Sequence, residues 1–89
     1  MSISLIPVTN GPDKTDLLRA VANPYRYTTF GTQDGTIEAR IDLIEEQGTE
    51  GVGFTVWGHL ESSNLRGAFF TGTYNCETRT GRLALKRAA

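Results

Sequence analysis

The chain has 89 residues, 38% of them hydrophobic, and a formal net charge of −1. That length supports one hydrophobic core, hence a single domain over 1–89, and the composition excludes a disordered chain, while the near-neutral charge excludes a general pull toward nucleic acid or an anionic membrane. One Cys and one His exclude an internal disulfide and the common zinc frameworks, so no metal or cofactor is expected.

The opening "MSISLIPVTNGPDK" has no basic leader, and its apolar run breaks at Pro7, so the expectation is a soluble, cytoplasmic protein with no membrane segment. "SISLIPV" is β-branched and apolar, and reads as a short edge strand that Pro7 marks as an edge or exit. "TNGP" is a turn. In "KTDLLRAVA", Leu17, Leu18 and Val21 form an apolar stripe at helical spacing, Asp13 or Thr15 can cap the free amides, and Asn23-Pro24 stops the helix. A short helix is therefore expected over 12–23.

From Tyr25 the hydrophobic period becomes two, which predicts a β-meander over 25–87. "YRYTTFGTQ" and "TIEARIDLIEE" flank Asp34-Gly35, a dipeptide suited to a tight hairpin turn. A turn there sets Phe30 opposite Ala39 and Thr28 opposite Ile41. Ile37, Ala39, Ile41 and Leu43 then face the core, with Glu38, Arg40 and Asp42 on the other side.

"EEQGTEG" is a loop, acidic enough to suggest oxygen ligands for a cation but without calcium-loop spacing. "VGFTVWGHLE" is the next strand. With Ser63-Asn64 as turn residues, Glu61 lies opposite Arg66, His59 opposite Ala68 and Trp57 opposite Phe70. "RLALKR" completes the sheet with Leu83 and Leu85 inward. The fold class is thus mainly β: an antiparallel meander of five to six strands, strongly coiled or a partial barrel, with one short N-terminal helix.

Both faces of the strand pair around Trp57 carry apolar residues, and glycines 51, 53, 58, 67 and 72 permit tight coiling. The run "LRGAFFTGTYNCETRTGRLAL" resembles strand pairs of lipocalin-like and avidin-like barrels. That resemblance implies a barrel-like sheet with a small apolar cavity.

His59 beside Glu61 could act as a general base, but no Ser or Cys is placed to pair with it, and a lone His on a β surface more often packs than catalyses. No phosphate-binding glycine loop occurs. The expected function is a non-enzymatic, β-rich protein-interaction module that binds another protein or a copy of itself as a homodimer. Its binding residues would be Trp57, His59, Arg66, Phe70 and Tyr74, the aromatic and Arg types that concentrate interface energy. A binder of a small apolar ligand in a lipocalin-like partial barrel is the alternative. Single-stranded nucleic-acid binding, through "RTGRLALKR" beside Phe70 and Tyr74, ranks third because acidic residues crowd 34–50.

Overall fold

A computed structural model describes residues 3–23, 26–61 and 67–86. In chain order the elements are β1 (Ile3–Val8), α1 (Lys14–Ala22), β2 (Thr28–Thr32), β3 (Gly35–Gln47), β4 (Gly53–Leu60), β5 (Phe69–Asn75) and β6 (Thr80–Lys86). All neighbouring strands pair antiparallel, in the order β1-β6-β5-β4-β3-β2. The strands β2 to β6 make the expected meander, and β1 returns to β6. An isolated bridge between Asn10 and Gly31 then draws the β1 side to β2, so the sheet is a nearly closed barrel.

The helix begins where Asp13 accepts a hydrogen bond from the Asp16 amide at 2.8 Å, so Asp13 rather than Thr15 is the cap. Its buried stripe is Leu17 and Ala20, with Val21 packed at the margin of the core. Leu18, expected inside, is exposed: it lies one residue, about 100° of helix, from Leu17. The helix packs on β2 and β3. Barrel closure and this helix supply the covers that the inward apolar face requires.

The core is the inside of the barrel: Phe30, Ile41, Val56, Leu60, Leu83 and their neighbours. Leu83 and Leu85 point inward as expected. Phe30 meets the edges of two other rings, Phe70 at 6.2 Å and Tyr74 at 5.7 Å between centroids, in near-perpendicular contacts. Phe70 has room because its cross-strand partner is Gly58. A Cβ at Gly58 would lie 2.8 Å from the Phe70 ring and collide with the Arg40 carbonyl.

Three strand registers differ from the sequence expectation, with different consequences. In the first hairpin Thr32 pairs with Gly35, so Gln33-Asp34 occupy the turn and Gly35, at φ 134°, follows it. Phe30 therefore faces Ile37, not Ala39. That shift is two residues, and the inward set stays inward.

In β3 the register slips between Ile41 and Leu43. The bulge turns Leu43 out to solvent and brings Ile44 against the core instead. The third difference is a single residue. Leu60 and Ala68 are hydrogen-bonded partners, Trp57 pairs with Thr71, and Gly58 pairs with Phe70. A one-residue slip exchanges the faces of a strand, so Phe70 and Tyr74 lie inside the barrel while Trp57 and His59 lie outside. The expected Ser63-Asn64 turn lies outside the described residues.

A short strap, Thr9–Pro12, seals the barrel between β1 and α1. Thr9 and Gly31 share a backbone hydrogen bond of 2.8 Å, the Gly11 amide donates to the Arg79 carbonyl at 2.9 Å, and Arg79 Nε donates to the Gly11 carbonyl at 2.7 Å. From inside, the Tyr74 hydroxyl donates to the Pro12 carbonyl at 2.6 Å.

Candidate interaction surface

Because antiparallel pairing carries a side-chain face across a sheet, the outer surface can be read in transverse rows. One row runs Leu43–Trp57–Thr71–Ala84–Leu5 from β3 to β1. Beside it lies Arg40–His59–Phe69–Lys86, and on the other side Glu45–Thr55–Thr73–Arg82. Three large apolar side chains project outward along these rows, Leu5 at 67%, Leu43 at 57% and Phe69 at 57% exposure, with Leu43 and Phe69 on the strands that flank Trp57. Trp57 is half-buried in the middle of the first row.

The apolar row is bounded by charge. On the β3 side Glu38, Asp42 and Glu45 are exposed, and on β6 Arg82 and Lys86 are exposed. A polar cluster fills the corner where β3 meets β4. Asp42 Oδ2 lies 3.1 Å from His59 Nδ1, Glu61 Oε1 lies 3.5 Å from His59 Nε2, and Arg40 forms an ion pair with the same Glu61 oxygen, its Nε 2.8 Å away. Arg40 also donates through Nη2 to the Tyr27 hydroxyl at 3.1 Å, with its guanidinium carbon 4.6 Å from the Tyr27 ring centre. The Tyr27 hydrogen bond, then the charge of Glu61, hold the Arg40 pKa above its ordinary value. The bulge contributes here by bringing Asp42 within reach of the imidazole.

Both nitrogens of His59 face carboxylates, Asp42 and Glu61. Cys76 is buried inside the barrel, on the opposite side of the sheet from His59, and burial pushes its thiol pKa up. Among the described residues no group of three or more His, Cys, Asp and Glu is arranged to hold a metal ion, and no helix is long and apolar enough to cross a membrane. A separate surface cleft of about 370 Å³ lies beside the strap, with Asn10, Asp16, Arg26, Thr29, Thr36 and Arg79 in its walls. Its lining is mainly polar.

Of the five residues the sequence nominates, the structure unites Trp57 and His59 on one face. It separates Phe70 and Tyr74 from them, placing both in the core at 4% and 2% exposure. Arg66 lies outside the described residues. Sequence reasoning missed Leu43, Phe69, Arg40 and Asp42. The available signal was Gly58: it lies on the inner face, where the absence of a side chain leaves space for the Phe70 ring on the strand alongside. That space favours the inward placement of Phe70 over the expected Trp57–Phe70 pair.

No family model, curated protein or solved structure matches the chain. The reading of this surface therefore rests on its own chemistry.

Proposed function

We propose that the chain is a small, non-enzymatic protein-interaction module whose working surface is the outer face centred on Trp57. One observation carries the reading: Leu43, Trp57 and Phe69 lie on the adjacent strands β3, β4 and β5, on the outside of a barrel whose core is already supplied from within. Large apolar side chains gathered on a solvent-facing surface and rimmed by charge are the arrangement that docks on another protein. Trp57, half-buried between Leu43 and Thr71, is the anchor. The polar cluster around His59 fixes the orientation of its rim. The rings of Phe30, Phe70 and Tyr74 occupying the interior weigh against a small apolar ligand as the occupant.

Photo-cross-linking in the cells that make the protein tests the reading. A benzophenone-bearing residue replacing Thr71, at the centre of the face, is expected to yield protein adducts, and one replacing Asp34 at the hairpin tip is expected to yield none. Absence of any adduct from position 71 overturns the proposal.

A further inference from the structure

We propose that the cleft beside the strap binds a small hydroxylated phosphate monoester, held by Arg26 and Arg79 at the seam where the barrel closes. The inference does not depend on the reading of the outer face around Trp57.

The strap brings the two arginines to one place. After β1 it bonds on one side to Gly31 of β2, through the Thr9 amide, and on the other to the turn before β6, through Gly11 and Arg79. Arg26 stands where the chain enters β2, and Arg79 stands in that turn. Both line the same cleft of about 370 Å³, a volume suited to a small molecule. A ligand seated there touches both sides of the seam.

The charge of these arginines is not spent within the protein. Among the described residues neither forms an ion pair, although Asp16 stands in the same walls. Arg40, by contrast, is matched to Glu61 and Tyr27. Arg79 is also held in place. Its Nε donates to the Gly11 carbonyl at 2.7 Å, while among the described residues its two terminal nitrogens have no hydrogen-bond partner. Its backbone sits at φ 62°, in the left-handed region where glycine is the ordinary occupant. A side chain kept in such a conformation, and fixed by a second contact, is a feature of sites that grip a ligand.

The lining selects the ligand's chemistry. A phosphate monoester carries a charge of about −2 at neutral pH, which two guanidinium groups match and a single carboxylate does not. The hydroxyls of Thr29 and Thr36, on the outer side of the β2–β3 hairpin, and the side chain of Asn10 add neutral hydrogen-bonding groups. Asp16 repels the phosphate but accepts hydrogen bonds from hydroxyl groups. The cleft has more room than a bare phosphate fills, and its lining is mainly polar, so the rest of the ligand is hydroxylated rather than acyl or aromatic.

Titration of the full chain with glycerol phosphate, followed by amide NMR at fixed ionic strength, tests the proposal. Saturable shifts are expected at the Gly11, Gly31 and Thr36 amides. Glycerate, which replaces the phosphate by a carboxylate, and inorganic phosphate, which lacks the hydroxyls, are each expected to bind about tenfold more weakly. Arg26→Ala is expected to weaken glycerol phosphate about tenfold or more. The backbone bond from the Arg26 amide to the Asn23 carbonyl, at 3.0 Å, survives that change, so the thermal midpoint without ligand is expected to stay the same. Arg82→Ala, at an exposed position on another part of the barrel, is expected to change neither.

Shifts that fail to saturate, or binding that Arg26→Ala leaves intact, overturn the site. Equal losses from Arg26→Ala and Arg82→Ala do the same, because they report only the general charge of the surface. Glycerate binding as tightly as glycerol phosphate overturns the phosphate assignment, and inorganic phosphate binding as tightly overturns the hydroxylated one.

Discussion

Replacing Tyr74 by Phe removes one oxygen atom and tests how the barrel is sealed. Tyr74 is 2% exposed, and its hydroxyl donates a 2.6 Å hydrogen bond to the buried Pro12 carbonyl in the strap that leads from β1 to α1. The ring stays and keeps its edge contact with Phe30, so the change isolates the hydrogen bond from the packing. An unsatisfied buried acceptor costs its desolvation, so the expected loss is about 1–3 kcal/mol. In a domain of this size each kcal/mol lowers the thermal midpoint by roughly 4–8 °C. Urea unfolding followed by Trp57 emission measures the change, with an unaltered slope showing that the surface exposed on unfolding is the same.

The same residue sets an alkaline limit. Burial pushes the Tyr74 phenol above its ordinary pKa, so between the unfolded value of about 10 and the higher folded value the native state holds a proton that the unfolded chain releases. Stability from this group is complete below about pH 10 and falls as pH rises beyond it. Tyr74→Phe should therefore flatten the alkaline fall relative to the parent. A variant as stable as the parent, within about 0.3 kcal/mol and with the same alkaline slope, would refute the role of the strap hydrogen bond.

Two further outcomes are expected. Gly35→Val should cost roughly 1–3 kcal/mol, because the backbone there holds φ 134°, a conformation L side chains rarely adopt; equal urea midpoints for parent and variant would remove the strained position from the first hairpin. Cys76, buried and with its thiol pKa raised, should react with a thiol reagent only as fast as the barrel opens, so that labelling accelerates with urea in step with unfolding; rapid labelling of the native protein would contradict its placement inside.

How far the sequence exposes the fold depends on which kind of signal each element carries. The helix was legible because the Asp13 cap and the buried Leu17 spacing are local, and the meander was legible because alternation and turn residues recur from Thr28 to Lys86. Barrel closure was partly legible in the glycines. The β3 bulge was not: "ARIDLIEE" continues its alternation through Leu43, and only pairing with β4 reveals that Asp42 is the extra residue. Periodicity describes a strand alone, whereas a bulge belongs to a pair of strands.

The candidate surface was harder to read than the fold for a related reason, which is the parity of the loop between β4 and β5. A two-residue turn pairs residues whose numbers add to an odd total, and the expected Trp57–Phe70 pair follows from that choice. The Leu60–Ala68 pair instead encloses residues 61–67, an odd number, and every pair below it moves by one. In the first hairpin the error was two residues and cost nothing in facing, since Phe30 and Ile37 remain buried. In the second it exchanged Phe70 for Phe69 on the outer face. The packing resolves the choice in a way turn propensity does not: Gly58 accepts the Phe70 ring inside the barrel, while Thr71, small and exposed, leaves Trp57 open on the outside. A site made of alternating positions on neighbouring strands is thus only as legible as the loop that sets their register, and here Gly58 carries better information about that register than the loop's own residues.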